Sequence, residues 1–231
     1  AMRSPAQLRA GSWTSAAALF AYAIAFSYAY IGLSAGTGAL ILFGAVQASM
    51  LVWALLRGER FGAMQTLGFA LAIAGLIGLL LPGLTAPPLA AALLMLLAGI
   101  AWGVYSLRGR GAGDPTAVTA GNFLRAVPMA GAALAFALLL APVAVQIDVP
   151  GSRYAIASGA LTSGLGYAIW YRALPRLRAS TAATVQLSVP VITAVAGVVV
   201  LSEPVSLRLV LASIAVLGGV ALVVLWPKGT R

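Results

Sequence analysis

The sequence predicts an all-α fold: a polytopic membrane helix bundle of eight transmembrane helices with an inverted internal repeat. Three observations predict it. Hydrophobic residues make up 62% of the chain and charged ones 8%, a balance that argues against disorder and against a water-soluble globular domain. The apolar residues fall into eight stretches, 13–33, 37–56, 63–82, 88–107, 117–145, 154–173, 179–201 and 207–226, each near the roughly 20 residues that a helix needs to cross a bilayer. Part of the chain also occurs twice. Thr37 falls on Thr181, Ala39 on Ala183, Glu59 on Glu203, Leu67 on Leu211 and Gly75 on Gly219 at one constant offset, without a gap. The stretches are continuously apolar and rich in Ala and Leu rather than alternating, which argues against a membrane β-barrel.

Each element has its own local reason. The first stretch carries Tyr22, Phe26, Tyr28 and Tyr30 and ends at the turn Leu33-Ser-Ala-Gly-Thr-Gly38; the second runs to Arg57, and Arg57-Gly-Glu-Arg60 connects it to the third. The third presents Gly68, Ala72 and Gly75 on one face, and the eighth presents Ala212, Ala215 and Gly219. Small residues at this spacing let helix backbones approach closely in lipid, so these faces are candidates for a homodimer contact. The Pro- and Gly-rich stretch 81–88 separates the halves. The fourth stretch carries Trp102 and Tyr105; the fifth contains Asn122, Arg125, Pro128 and Pro142; the sixth holds Tyr167, Trp170 and Tyr171; the seventh holds Gln186 and Pro190. Helices 1–3 match helices 6–8. Matching helices are five apart, an odd number, so the copies face opposite ways across the membrane, a recurring plan of secondary transporters.

Charge follows the same alternation. Of the 14 Lys and Arg, eleven fall on loops of the amino-terminal side, Arg153 and Arg208 fall on the other side, and Arg125 is within a span. Cytoplasmic loops carry the positive excess, so both termini are expected in the cytoplasm of a bacterial-type inner membrane. The net charge of +10 is thus a topology signal rather than a nucleic-acid patch.

Catalysis has little to work with. The chain has no cysteine and no histidine, and its only lysine is Lys228, which excludes thiol chemistry, the common zinc sites and a Walker A loop. No cofactor and no metal is expected. The four acids, Glu59, Asp114, Asp148 and Glu203, fall at helix ends, away from any midmembrane proton relay. Glu59 and Glu203 are expected to favour the positive N-terminal ends of the helices that follow them, with Pro204 at a first helical position.

The candidate site residues each carry two readings. Arg125 lies about 13 Å into its span at 1.5 Å per residue, with Asn122 one turn away on the same face. It is either part of an anion or carboxylate site or a side chain that snorkels to the interface. Gln47 and Gln186 are buried amides that bind solute or hold helices together. Tyr22, Tyr167 and Trp102 line a cavity, or, for Trp102 with Tyr105 and Trp170 near helix ends, belong to an interfacial aromatic belt. Pro190 and Pro128 kink their helices as gating hinges or simply shape the bundle.

Three motifs, Thr181-Ala-Ala-Thr-Val-Gln-Leu-Ser-Val-Pro190, Leu201-Ser-Glu-Pro-Val205 and Leu217-Gly-Gly-Val220, are echoed by Gly36-Thr-Gly-Ala39 and Arg57-Gly-Glu59 in the first half. In this doubled order the chain resembles the drug/metabolite transporter superfamily, specifically EamA-type permeases. The resemblance implies ten helices, five per half. Residues 13–82 resemble a partial first repeat of three helices and residues 88–226 a complete second repeat, flanked by cytoplasmic segments 1–12 and 227–231. By that comparison the first two helices of the usual ten are absent. The resemblance implies a transporter, not an enzyme, that moves a small polar or amphipathic metabolite such as an amino acid by alternating access. Its partners are the solute and the bilayer. A fragment or membrane scaffold that carries nothing is the other reading.

Overall fold

The computed structural model describes residues 10–56, 62–80, 86–109, 113–140, 148–173, 186 and 188–226. Among them every regular element is helical. The order is α1 (Trp13–Ala29), α2 (Ala35–Leu56), α3 (Ala63–Leu80), α4 (Leu89–Gly109), α5 (Pro115–Leu140), α6 (Val149–Ile156), a π-helical segment (Ala157–Leu165), α7 (Gly166–Ala173), α8 (Ser188–Leu201) and α9 (Leu207–Leu225). The π segment continues α6 directly into α7, so these three form one continuous helix and the described residues hold eight helices. Glu59, Pro142, the start of the Thr181 motif and both charged termini lie outside the described residues.

By length and composition alone, Leu89–Gly109 and Pro115–Leu140 are sufficient to cross a membrane among the described residues. Trp13–Ala29, Ala35–Met50, Ala63–Gly75 and Leu207–Gly219 are shorter apolar helices. Large apolar side chains cover the outer surface: on α5 alone Leu124, Val127, Leu134, Phe136, Leu138, Leu139 and Leu140 are exposed. A surface of this kind is stable against hydrocarbon and not against water.

The chain divides into two compact units. Unit 1 comprises Ala1–Phe20 and Tyr105–Arg176, and unit 2 comprises Ala21–Val104 and Leu177–Arg231. The core of unit 2 gathers Ala25, Ala29, Leu40, Ile41, Met95, Ala98, Ala212 and Val216. Its most extensive helix pairing joins α3 to α9. The two small-residue faces meet there. A Cβ on Gly75 would lie 2.6 Å from the Ala215 Cβ, and one on Gly219 would lie 2.4 Å from the Gly68 carbonyl oxygen. The faces expected to serve a homodimer are therefore spent inside the chain, where two backbones touch because neither side carries bulk.

Glu203 also departs from the expectation. It does not precede its own helix: residues 202–206 are non-helical, and α9 starts at Leu207 with Ser206 as its N-cap. The carboxylate instead reaches the N-terminus of α2. Its Oε1 accepts the Ala35 N–H at 2.6 Å and its Oε2 accepts the Gly36 N–H at 3.4 Å. An anion at a helix N-terminus is the expected electrostatic partner, but here the helix is distant in sequence.

Candidate solute site

Unit 1 contains a polar cluster in otherwise apolar surroundings, built from α4, α5 and α7. Asn122 and Thr119 are one turn apart on α5, and both are buried, Asn122 to 1% exposure. Their positions on the inward face follow from the same periodicity that buries Ala117 and Val118. From α4, the Tyr105 phenol lies beside Asn122, Thr119 and Tyr171. From α7, Tyr171 stacks on Tyr105 with ring centroids 5.2 Å apart, and its hydroxyl donates to the Tyr105 carbonyl oxygen at 2.9 Å. Tyr167 completes the aromatic wall, 6.4 Å from Tyr105 and 6.1 Å from Phe123.

In unit 1 Ser106 Oγ and Trp170 Nε1 are buried without a hydrogen-bond partner, while Asn122 and Thr119 face the Tyr105 phenol. An orphaned buried donor or acceptor costs about 1–3 kcal/mol, so such groups mark places where water or a ligand completes the bonding. The sequence singled out Asn122 and Tyr167. It missed Thr119, since a single hydroxyl on an apolar helix carries no signal until its burial is known.

Arg125 has a definite role in the geometry. Its Nη1 donates to the Ala10 carbonyl oxygen at 2.7 Å and to the Gly121 carbonyl oxygen at 2.9 Å. The guanidinium thus holds the segment before α1 against α5. The same segment is held by Asn122, whose Oδ1 accepts the Ser12 N–H at 3.0 Å, and the first turn of α1 by Arg108, whose Nε donates to Ser15 Oγ at 3.0 Å.

The remaining candidates belong to unit 2, apart from Pro128 in unit 1. Tyr22 and Trp102 are in ring contact at 5.0 Å, and Tyr22 continues to Phe26 at 5.4 Å. Trp102 is 9% exposed and Tyr105 fully buried, so neither lies on an outer aromatic belt. Gln47 and Gln186 are 4% and 7% exposed. Gln47 Nε2 and Gln186 Oε1 lack partners, and nothing in the described geometry bonds one amide to the other. Pro190, with Gly36, Leu40, Val198, Glu203 and Leu209, lines an apolar cavity of about 380 Å³. Pro128 is inside α5, which continues through it. Among the described residues no group of His, Cys, Asp or Glu is arranged to hold a metal.

Comparison with known proteins agrees with this architecture. An uncharacterized protein of Pseudomonas aeruginosa is 59% identical over 221 residues, covering 96% of this chain and 76% of its own. A solved crystal structure shares the fold with a TM-score of 0.65 at 22% identity, over 96% of this chain and 79% of its own. The profile of the EamA-like transporter family matches residues 89–225. On these residues the chain belongs to the EamA-like transporter family, integral membrane transporters of the drug/metabolite transporter superfamily.

Proposed function

We propose that the chain moves a small polar or amphipathic metabolite across a bacterial inner membrane by alternating access between inverted halves, and that the solute is held at the cluster around Asn122. One observation carries the reading: Asn122 and Thr119, both buried, lie with the Tyr105 phenol against the wall of Tyr105, Tyr167, Tyr171 and Phe123. Aromatic faces with a few convergent polar groups are the usual make-up of a small-molecule site. Arg125 adds positive charge one turn from Asn122, although its Nη1 is occupied by carbonyl oxygens. The bias of eleven basic residues to two supports cytoplasmic termini. The gapless repeat between Thr37 and Thr181 supports the inverted plan.

The test is flux. Purified protein in proteoliposomes loaded with a mixture of amino acids and organic acids should release one class faster than empty liposomes do. Asn122→Leu, which keeps volume and removes the amide, should lower that rate at least tenfold while the protein still inserts and purifies. An unchanged rate sinks the site; no flux of any solute leaves the membrane-scaffold reading.

A further inference from the structure

The apolar cavity of about 380 Å³ that Pro190 lines is wholly within unit 2, and the helix packing explains why it exists. α8 packs on α2, while α9 packs on α3 and α2. Residues 202–206 join α8 to α9 without being helical, and a groove is left between the two helices. Its floor is Gly36, Leu40 and Pro190, all buried, and its rim is Val198, Val199, Val205, Val210 and Ile214, all exposed. In an integral membrane protein a rim of this kind faces hydrocarbon, so the groove opens sideways to lipid. Along α9 its lining runs from Leu209 to Leu217, about 12 Å at 1.5 Å per residue. One leaflet of hydrocarbon is roughly 15 Å deep, half of the bilayer core.

One end of the groove is acidic. Ser202 has φ +53°, and the Glu203 N–H donates to the Gly197 carbonyl oxygen at 3.2 Å. This six-to-one closure after a left-handed residue is a regular way to end a helix, and it fixes Glu203 where α8 stops. Apart from Glu203 and Ser213, the side chains that line the groove are apolar. The Glu203 carboxylate accepts the Ala35 and Gly36 N–H groups. Among the described residues these are its partners, and neither is a cation. A carboxylate accepts about four hydrogen bonds, so half of its capacity is in use. The N-terminus of α2 offsets about half an elementary charge, which leaves this end of the groove negative.

A cleft that is apolar along its length, one leaflet deep, open to hydrocarbon and negative at one end is complementary to an amphiphile with a cationic head. We propose that the groove between α8 and α9 binds a membrane phospholipid with a primary-ammonium headgroup, its acyl chain along Leu209–Leu217 and its ammonium on the Glu203 carboxylate. A primary ammonium brings both a charge and three N–H donors. A choline head has the charge and no donor, and a glycerol head leaves a net anion that Glu203 repels. Through the same carboxylate the lipid reaches the start of α2, so the headgroup bears on how firmly Glu203 caps that helix.

Phosphatidylethanolamine, phosphatidylcholine and phosphatidylglycerol with identical dioleoyl chains test this. The full chain is reconstituted in nanodiscs from an equimolar mixture, and the lipids retained when the disc is stripped are counted by native mass spectrometry. Phosphatidylethanolamine should be retained at least fivefold over phosphatidylcholine, with phosphatidylglycerol last. Glu203→Gln keeps an acceptor for α2 and removes the charge, and should bring phosphatidylethanolamine down to the phosphatidylcholine level. Ser213→Leu fills the groove and leaves the carboxylate in place; it should lower phosphatidylethanolamine retention at least threefold with helix content unchanged. Leu139→Ala, on the exposed surface of α5, should change nothing. Equal retention of the three headgroups, a preference that survives Glu203→Gln, or full retention in Ser213→Leu would each overturn the proposal. Dimers that vanish in Ser213→Leu would give the groove to a second copy and overturn it too. Should Glu203→Gln not fold, the wild-type chain reads the same charge: dodecylamine should displace retained phosphatidylethanolamine at least fivefold better than dodecanol, and equal displacement refutes the role of Glu203. None of these readouts uses flux, so they stand apart from the transport reading.

Discussion

Glu203 offers the sharpest test of how this bundle is held. The start of α2 has three backbone donors to satisfy. Ser34 takes the Thr37 N–H through its own hydroxyl at 3.4 Å, and Glu203 takes Ala35 at 2.6 Å and Gly36 at 3.4 Å. A hydrogen bond to a charged group contributes about 1.5–3 kcal/mol, and an anion at a helix N-terminus adds about 0.3–1 kcal/mol when partly exposed. Glu203 is only partly buried and its second bond is long, so Glu203→Ala should cost about 2–3 kcal/mol. Glu203→Gln keeps an acceptor and loses the charge, and should cost about 1 kcal/mol. For a chain of this size, about 2–4 °C of melting temperature corresponds to each kcal/mol. The losses should therefore be roughly 8 °C and 3 °C, read by tryptophan fluorescence of the detergent-solubilised protein. A second substitution isolates the bond. Ala35 is the first helical residue after the Ser34 cap, where proline fits the backbone, so Ala35→Pro removes the donor and little else. Its cost should shrink in the Glu203→Ala background, because the acceptor is already gone. Strictly additive losses would refute the assignment of Glu203 to α2.

Two further outcomes are expected. Gly219→Ala forces a Cβ to within 2.4 Å of the Gly68 carbonyl oxygen, whereas Gly78→Ala meets nothing within 4 Å; thermal unfolding should show the first losing about 1–3 kcal/mol and the second neutral or slightly stabilised. A reporter active only in the periplasm and fused after Arg231 should be silent, and an active fusion would overturn the assignment of both termini to the cytoplasm.

Much of the fold was legible because its signals are one-dimensional. Run length and apolarity placed all eight helices, and the spacing of Gly68, Ala72 and Gly75 against Ala212, Ala215 and Gly219 anticipated where two backbones touch. What the pattern could not supply was the partner. The two faces read as an interface between copies, and they pack within one chain. Glu203 read as the start of its own helix, and it completes another that begins 168 residues earlier. A helix N-terminus announces that it needs acceptors but not which loop delivers them. The continuation of α6 through nine π-helical residues had no sequence signal either, since Ala157–Leu165 has the composition of any small-residue helix. At the site, Arg125 and Asn122 were visible as polar residues one turn apart. Their division of labour was not, because it depends on the backbone groups of Ala10 and Ser12, which no side-chain pattern announces.

That division has an energetic consequence for the proposed cycle. Alternating access requires some contacts between distant segments to break at each turn, and in a chain with 8% charged residues such polar contacts are few. The Glu203 carboxylate bonds are charge-assisted and sit at a helix end they also neutralise. The Ser12–Asn122 bond is neutral, worth about 0.5–1.5 kcal/mol. Arg125 keeps the Gly121 carbonyl oxygen within its own helix as a second acceptor, so releasing Ala10 leaves the guanidinium with a remaining partner. The segment before α1 is thus the less costly of these contacts to release. Releasing it would free the Asn122 amide to turn over. Because Asn122 bonds this segment and belongs to the proposed solute cluster, docking and solute binding are coupled in that cycle. Solute binding should then protect the Ser12 amide proton from hydrogen exchange. By reciprocity Gly11→Ala, whose Cβ would lie 2.5 Å from Asn122 Oδ1, should weaken binding by the factor through which solute strengthens docking. Exchange at Ser12 that is indifferent to a solute shown to bind would break that link and leave the segment a purely structural clasp.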